Sequence, residues 1–155
     1  MTGEAITIRP AKRADVVAIV KLLADDPLGQ NRELVVEPLP ASYYKAFDAM
    51  HRAHHIQMMV AEDNDGQVIG CLQLAILPGL SSQGASRGII EDVRVVSDRR
   101  SQGVGERLVR WAIGEALANG CKLLELFTHE SRVDAQRFYK RLGFQPSHVG
   151  MTMRF

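Results

Sequence analysis

The 155-residue sequence contains no long apolar stretch. No apolar run approaches the ~18 residues of a membrane-spanning helix, and residues 1–10 contain no apolar core of the length found in signal peptides. We therefore expect a cytoplasmic protein that has no membrane partner.

The sequence also lacks an excess of charge of either sign. Its 19 Lys and Arg residues against 18 Asp and Glu residues give a formal net charge of +1. Because this balance offers no extended positive field to a polyanion, we expect no nucleic-acid partner. A hydrophobic share of 46% beside 24% charged residues is typical of a chain that folds around a core. At this length the simplest organisation is one domain over residues 1–155.

Cysteine is scarce, and histidine clusters only once. Cys71 and Cys121 lie in apolar segments without Cys-x-x-Cys spacing, so we expect reduced core residues rather than a zinc site. His51, His54 and His55 follow one another at helical spacing, which can bring two imidazoles to one face of a helix. Since no acidic third ligand lies near them, a solvated helix end or a substrate-lining surface is the better interpretation, and no metal is expected.

Apolar residues recur with a period of two or of 3.6 along the chain, and these patterns predict alternating strands and helices. The predicted strands span residues 6–9, 57–62, 68–77, 89–96, 123–128 and 149–155. The predicted helices span residues 13–24, a segment with Ser42 near its cap, residues 103–118 and residues 135–142, the last two ended by Asn119-Gly120 and Gly143. Asn64-Asp65-Gly66 predicts a hairpin turn, and the glycine- and serine-rich residues 78–87 predict a mobile loop. The predicted sheet is mixed and carries helices on both faces.

Two glycines lie at the start of the predicted helix at 103–118, which follows a predicted strand. Gly103 and Gly105 lack a Cβ atom, so the backbone can approach a ligand, and the unpaired N–H groups of the helix start favour a phosphate. A P-loop is excluded because Gly-Lys-Ser/Thr occurs nowhere in the chain. The Gly-x-Gly-x-x-Gly fingerprint of dinucleotide-binding proteins fits poorly, because Leu108 occupies the third glycine position. Glu125, twenty positions after Gly105, is the one feature that agrees with a nicotinamide-dependent oxidoreductase.

Two motifs follow each other in the second half of the chain. The first is Ile90-Glu91-Asp92-Val93-Arg94-Val95 followed by Arg100-x-x-Gly103-x-Gly105, and the second is Ala135-x-x-Phe138-Tyr139-x-x-Leu142-Gly143-Phe144. In this order and separation the chain resembles the GNAT superfamily of N-acetyltransferases along essentially its whole length. The resemblance implies an α/β fold with a mixed, mostly antiparallel twisted sheet of about seven strands, splayed in the middle and flanked by about four helices. It also implies acetyl-CoA as the acetyl donor.

The resemblance places the donor site around the two glycines. Backbone amides of residues 102–106 would hold the CoA pyrophosphate, with charge added by Arg100 and Arg99. Val93 and Val95 would bind the pantetheine arm where two strands part, and the Val95 amide would face the thioester oxygen as an oxyanion donor. The implied donor-binding residues are Val93, Val95, Arg100, Ser101, Gln102, Gly103, Val104, Gly105, Glu106, Ser131 and Tyr139.

Tyr139 corresponds to the tyrosine with which resembling enzymes protonate the departing thiolate. A phenol suits this role, because a thiol of unperturbed pKa ~8.5 leaves readily beside a hydroxyl of pKa ~10. The alternative is that Tyr139 only packs beside Phe138 on an amphipathic helix.

The general base that deprotonates the amine is expected on the strand at 89–96. Strand alternation places Glu91 and Asp92 on opposite faces, so only one of them would face the cleft. Many relatives carry an acid at the position of Glu91, often acting through water, and Glu91 is the first choice. Its carboxylate could alternatively orient the substrate or pair with Arg94 or Arg87.

One position departs from the resembling enzymes. Relatives commonly place asparagine three residues before the helix alanine, where it contacts the donor arm, and this chain has Arg132 there. Ser131 is the polar residue that could take over this contact. His129 and His148 flank the expected cleft, where either could shuttle protons.

The predicted activity is transfer of acetyl from acetyl-CoA to the primary amine of a small molecule, by direct attack in a ternary complex. No acyl-enzyme is expected, because both cysteines lie outside the motifs. Residues 28–55 and the loop at 78–87 are expected to select the acceptor. Two alternatives stay open: a protein or peptide amino group as the acceptor, and a non-catalytic acyl-CoA-binding sensor. A homodimer formed through Met58, Met59 or the strand at 149–155 is also open.

Overall fold

A computed structural model describes residues 5–155, so the predictions for residues 1–4 lie outside the described residues. The strands are β1 (Thr7–Pro10), β2 (Ile56–Glu62), β3 (Val68–Leu77), β4 (Arg87–Val95) and β5 (Leu123–Leu126). The longer helices are α1 (Val16–Ala24), α2 (Ala41–Arg52), α3 (Val104–Ala118) and α4 (Val133–Arg141). The five strands form one sheet in the order β1-β2-β3-β4-β5.

The sheet is mixed and mostly antiparallel, and this prediction of the fold class is confirmed. Strands β1 to β4 pair antiparallel with their neighbours, whereas β4 and β5 run parallel. The described residues contain five strands rather than the larger number expected, and residues 149–155 form no strand. Apolar alternation favours a strand, but a strand also needs a neighbouring edge, and this segment pairs with no other part of residues 5–155.

The β2–β3 hairpin is present as predicted. The buried carboxylate of Asp63 accepts hydrogen bonds from the N–H groups of Asp65 and Gln67, at 3.0 and 2.9 Å. Gly66 takes a left-handed conformation with φ of 76°. A carboxylate that binds the backbone two residues on, followed by a left-handed glycine, fixes a tight turn.

Helices cover both faces of the sheet. On one face, α3 packs on β3 and β4 through a core that includes Leu72, Leu74, Ile90, Leu108, Val109 and Ala112. On the other face, α1 packs on β2 and β3 through Ile19, Leu22, Val60 and Cys71. Burial raises the pKa of the Cys71 thiol to about 12, so Cys71 is the protonated core residue that the sequence predicts, whereas Cys121 is half-buried.

The helix boundaries follow the predicted signals with one correction. Gly120 after α3 and Gly143 after α4 both have positive φ, at 70° and 100°, as expected for helix stops. Helix α2 begins at Ala41 directly after Pro40, so Ser42 lies in its first turn and does not cap it. No helix within residues 5–155 is both long and apolar enough to cross a membrane.

Candidate active site

The sheet parts between β4 and β5, as the resemblance implies. The two strands pair only from Arg87 to Ile90 on β4, opposite Leu123 to Leu126 on β5. Residues 91–95 of β4 continue along β3 alone, and the chain leaves β5 after Leu126. A gap therefore opens beside the second half of β4.

Val95 turns its backbone polar groups toward this gap. The neighbouring Val96 donates its N–H to Ile69 O across β3 at 2.9 Å, and antiparallel alternation then directs the N–H and C=O of Val95 to the other edge of β4. Two arginines donate hydrogen bonds to carbonyl oxygens of β4. Arg100 Nε donates to Val95 O at 3.1 Å, and Arg94 Nη1 donates to Val93 O at 2.9 Å. The N–H of Val95 thus points toward the gap, and its role as an oxyanion donor stays a prediction, while the arginine contacts were not foreseen from the sequence.

The loop before α3 forms a concave backbone surface. Ser101 and Gly103 both have positive φ, at 63° and 84°, and α3 starts at Val104. The first helical donor is Arg107 N to Gly103 O at 3.0 Å, so the N–H groups that precede it point out of the helix start. Gly103 has no side chain with which to cap them. Such a helix start fits a diphosphate, and it brings together the predicted residues from Arg100 to Glu106.

Gly105 lies where α3 approaches both β4 and α4. A Cβ atom there would stand 3.6 Å from Phe138 Cζ and 3.6 Å from Val95 Cγ2, which is ordinary van der Waals contact. At Gly103 the same atom would meet nothing within 4 Å. Of the two positions, Gly103 is therefore the one whose backbone conformation requires glycine, because its φ is positive.

Arg100 is more engaged than the sequence suggests. Besides Val95 O, its guanidinium donates to Asp25 O at 3.0 Å and lies 3.3 Å from Asp25 Oδ2. Its side chain is about half exposed, which leaves one side open toward the loop. Arg100 thus links three parts of the site: the loop before α3, the end of β4 and the segment 25–40 between α1 and α2, here named the α1–α2 loop.

Asp92 forms a β-bulge that changes which side chains of β4 point to each helical layer. Its φ is 54°, and the β3–β4 register shifts between Cys71 and Gln73, so two β4 residues oppose Leu72. The extra residue moves the following side chains to the other face. The residues that face α1 and α2 are Glu91, Asp92 and Arg94, while Ile90, Val93 and Val95 pack toward α3. The prediction that Glu91 and Asp92 lie on opposite faces is therefore wrong, because both acids face the same layer.

Glu91 is held by a neutral partner. Gln73 Nε2 donates to Glu91 Oε2 at 2.9 Å. Neither proposed ion pair is present among the described contacts, because Arg94 binds Asp26 and Arg87 lies 3.5 Å from Glu125. Partial burial, with the negative charge of Asp92 beside it, raises the pKa of Glu91. A carboxylate with a raised pKa and no cationic partner has the properties of a general base.

A small cavity adjoins Asp92 between the sheet, α1 and α2. Its volume is about 180 Å³, and most of its lining is apolar. The residues that line it include Val16, Ile19, Val20, Tyr43, Phe47, Met50, Gln73 and Asp92. The cavity contains part of the predicted acceptor-selecting region, since Tyr43, Phe47 and Met50 lie within residues 28–55.

Tyr139 lies on α4, with its ring packed and its phenol near two positive charges. The ring makes edge contacts with Phe138 and Phe144, at centroid distances of 5.0 and 5.9 Å. Burial raises the pKa of Tyr139, and the charges of Arg94 and Arg132 offset part of that rise. The phenol is therefore protonated at neutral pH, which is the form that a proton donor requires.

Asp26 connects the two sides of the gap. Its carboxylate lies 3.1 Å from Arg94 Nε on β4 and 2.9 Å from Arg132 Nη2 at the start of α4. We call these three residues the Asp26 bridge. Burial opposes ionisation of Asp26, but N–H groups of the α1–α2 loop and the two arginines outweigh it and lower the pKa. One sequence signal marks this residue, the acidic pair Asp25-Asp26 before a proline, but no spacing links it to Arg94 or Arg132.

The remaining predicted polar residues make local contacts. Ser131 Oγ lies 2.7 Å from His129 Nδ1, and Ser147 Oγ lies 2.8 Å from His148 Nδ1. His51 and His54 line a separate cavity of about 250 Å³ between the end of α2 and β2. Arg132, at the position of the expected asparagine, binds Asp26 instead.

The sequence model of the acetyltransferase (GNAT) family matches residues 17–144. An aminoalkylphosphonate N-acetyltransferase of Salmonella typhimurium is 36% identical over 88 residues, which cover 57% of this chain and 56% of that enzyme. The chain thus matches about half the length of this relative. An uncharacterized N-acetyltransferase of Bacillus subtilis, YhfO, is 30% identical over 141 residues, which cover 90% of each chain.

Solved structures also match the fold. The crystal structure of a transcriptional regulator from Bacillus halodurans C-125 is 44% identical to this chain, with a TM-score of 0.94. The match covers 97% of this chain and 100% of that one.

Proposed function

The chain belongs to the GNAT family of acetyltransferases, and from that premise we propose that it transfers acetyl from acetyl-CoA to the primary amine of a small molecule. One observation carries the proposal. The gap between β4 and β5 has the outward N–H of Val95 on one wall, while Asp92 lines the cavity beside α1 and α2 and Glu91 binds Gln73, which lines the same cavity. Donor and acceptor would meet there in a ternary complex.

The donor side is built from backbone groups. Residues 100–106 would bind the diphosphate through the N–H groups at the start of α3, and Val93 and Val95 would bind the pantetheine arm along the free edge of β4. Acetyl-CoA supplies the acetyl thioester. The Val95 N–H would stabilise the negative charge that develops on the thioester oxygen during attack.

The acceptor side supplies the base. We infer that Glu91 takes a proton from the ammonium group, directly or through water, and that Asp92 on the same face helps to hold the amine. The amine nitrogen then forms a bond to the acetyl carbon, and the carbon–sulfur bond breaks. The nitrogen releases its second proton to solvent, while Tyr139 gives its proton to the departing sulfur and regains one from solvent.

The size of the cavity favours a small acceptor. At about 180 Å³ it admits a compact group rather than a folded peptide segment. The Salmonella relative is named for aminoalkylphosphonates, which carry an amine and an anionic group in one small molecule. Asp92 in the cavity lining offers a partner for the amine, so this class is our first choice of acceptor.

The proposal is tested by measuring release of the CoA thiol across a panel of amines. The panel contains aminoalkylphosphonates, amino sugars, amino acids, polyamines and short peptides with a free amino terminus. We expect turnover with small amines and none with peptides. Turnover with peptides alone would make this a peptide acetyltransferase, and acetyl-CoA binding without turnover on any amine would favour the non-catalytic sensor.

A further inference from the structure

Two cavities lie side by side beneath α2. One, of about 180 Å³, reaches Asp92 on β4 and is here named the Asp92 cavity. The other, of about 250 Å³, reaches His51 and His54 at the end of α2 and is here named the histidine cavity. The residues that line both cavities are Phe47, Met50 and Met58. These three residues, here named the common wall, are all that the two linings share.

The common wall can change shape without a movement of the backbone. Met50 and Met58 are unbranched, and both are only partly buried. A methionine has three rotatable side-chain bonds and adapts readily to the space beside it. Phe47 stacks on His51, with ring centroids 6.3 Å apart and an interplanar angle of 13°. Rotation of the two thioether side chains would therefore connect the cavities, while the stacked rings keep their place.

The register of the sheet places the two cavities in one line. On the face toward α1 and α2, Met58 of β2 lies opposite Gln73 of β3, and Gln73 lies opposite Glu91 of β4. At the other end of this row, the N–H of Ala11 donates to Met58 O at 2.8 Å. Neighbouring strands lie ~4.8 Å apart, so a row from β4 to the end of β1 spans roughly 14 Å. The joined cavities would form a groove that crosses the strands.

The two ends of this groove differ in chemistry. The polar side chains that line the histidine cavity are those of His51, His54 and Gln57. The amide of Gln57 already donates to Glu115 Oε1 at 3.0 Å, which leaves the two imidazoles. An imidazole keeps at least one N–H donor whether it is neutral or protonated. Among residues 5–155, no acidic side chain lines this cavity, whereas Asp92 lines the other one.

We propose that the acceptor site continues from Asp92 across the sheet to His51 and His54, and that it takes a linear primary amine with an anionic group at its far end. This extended site rests on the proposed acetyl transfer, whose acceptor it narrows. The ammonium group would lie at Asp92, the carbon chain would lie along the apolar common wall, and the anion would accept hydrogen bonds from the imidazoles. Charge complementarity favours this occupant, because a second ammonium group would meet no acid in the histidine cavity.

Steady-state kinetics with a series from aminomethylphosphonate to aminooctylphosphonate measures the length of the site. We expect kcat/KM to rise at least about tenfold from the shortest members to the longest, since only the longer ones can engage both ends of the groove. Diamines and plain alkylamines of the same lengths form the comparison series. They should not show this rise, because they carry no anion.

Replacement of the histidines tests the far end. His51→Leu and His54→Leu each remove an N–H donor, and each should lower kcat/KM for aminooctylphosphonate about tenfold, as expected for a hydrogen bond to a charged group. His55→Leu is the matched control, because the side chain of His55 lines neither cavity. It should agree with wild type within about twofold. An equal loss in His55→Leu would overturn the assignment of the far end.

NMR of the methionine methyl groups tests the connection without any turnover. Addition of aminooctylphosphonate in the absence of acetyl-CoA should shift the signals of Met50 and Met58, which form part of the common wall. Met151 and Met153 are largely exposed and lie outside both linings, so their signals should stay in place. Unchanged signals of Met50 and Met58 at a saturating ligand concentration would refute a groove through the common wall.

Failure of the extended site can be distinguished from failure of the proposed function. Acetyl transfer with equal kcat/KM along the series, together with a His54→Leu variant that behaves as wild type, would overturn the extended site and leave the proposed function intact. A preference for diamines over aminoalkylphosphonates would overturn the anionic far end. No turnover of any amine, beside aminooctylphosphonate binding that depends on His54 in calorimetry, would refute the proposed function and support the extended site.

Discussion

Tyr139 combines two environments at the scale of a single residue. Its ring packs between Phe138 and Phe144, which fixes the side chain, and its phenol lies close enough to Arg94 and Arg132 to respond to their charges. The sequence posed packing and catalysis as alternatives. In the structure the packing aims the side chain, so the two interpretations are compatible.

Tyr139→Phe should lower kcat by roughly 100-fold and leave acetyl-CoA affinity and unfolding free energy nearly unchanged, because the ring contacts remain. The measurement is steady-state kinetics beside calorimetric binding. Tyr44→Phe is the matched control. It removes the hydroxyl of a tyrosine on α2 whose ring lies under the Arg13 guanidinium. Equal rates for Tyr139→Phe and wild type would remove Tyr139 from the chemistry.

Glu91 should control the acidic limb of the pH profile. Burial and Asp92 raise its pKa, so kcat/KM should fall as pH decreases at a higher pH than an ordinary carboxylate would give. Glu91→Gln is expected to lower kcat/KM at neutral pH by 10-fold or more, on the order expected of a general base, and to abolish this limb. Asp92→Asn serves as the comparison. If Asp92→Asn removes the limb and Glu91→Gln keeps it, the base is Asp92.

The elements that form the site follow the sequence closely, except where one residue breaks a regular pattern. The glycine loop and the start of α3 were predicted from glycine positions and apolar periods, which are local signals, whereas the parting of β4 from β5 was implied by the resemblance to the GNAT superfamily. The bulge at Asp92 was not. Apolar alternation continues across it in the sequence, and aspartate is only moderately enriched at positive φ, so no local signal marks the extra residue.

The loop before α3 should depend on glycine at one position only. Gly103→Ala forces a side chain into a left-handed conformation, and we expect a loss of about 1 kcal/mol in unfolding free energy and weaker acetyl-CoA binding. Gly114→Ala, in the interior of α3 where a Cβ atom meets nothing within 4 Å, should instead stabilise by about 0.5–1 kcal/mol. Urea unfolding and calorimetry measure both. Equal effects of the two substitutions would refute the assignment.

The Asp26 bridge should contribute to stability in a pH-dependent way. The pKa of Asp26 is lowered in the folded chain, so its contribution is present above the ordinary carboxyl pKa and is lost as pH falls through the lowered value. Asp26→Asn should lower the free energy of unfolding by about 2 kcal/mol at pH 7. It should also make the decrease in stability at acidic pH less steep. Part of the slope should remain, because hydrogen bonding to Arg9 lowers the pKa of Asp15 as well.

Urea midpoints measured from pH 7 down to about 3 test this expectation. Asp65→Asn is the control, because Asp65 takes part in the hairpin turn through its backbone N–H and not through its carboxylate. A midpoint for Asp26→Asn that tracks wild type at every pH would mean that the bridge carries no net stability.

At the scale of the whole molecule, the sequence predicted the layers and most of the element order. It overestimated the strand count, because residues 149–155 have the pattern of a strand but their edge is not supplied within residues 5–155. The Asp26 bridge was missed for a related reason. It joins residues 68 and 106 positions apart in the chain, and such pairs appear only once the sheet and helices are assembled.

Acetyl-CoA should stabilise the whole chain, since its expected contacts involve β4, α3 and α4 together. At an acetyl-CoA concentration of 100 times its Kd, binding should raise the free energy of unfolding by about 2.7 kcal/mol. This corresponds to a rise of roughly 5–10 °C in Tm. Thermal melts with increasing acetyl-CoA measure it. NAD at the same concentrations should give no shift, and equal protection by NAD would revive the dinucleotide interpretation.

In the proposed donor site, Arg100 would have a mechanical role as well as a chemical one. A single guanidinium holds the carbonyl beside the reacting centre and the main chain of Asp25, and it stands at the mouth of the loop that would receive the diphosphate. An anion arriving in that loop competes for the same guanidinium. Occupation of the loop by an anion would therefore weaken the hold of Arg100 on Val95 O and Asp25 O, and the α1–α2 loop would become freer to move.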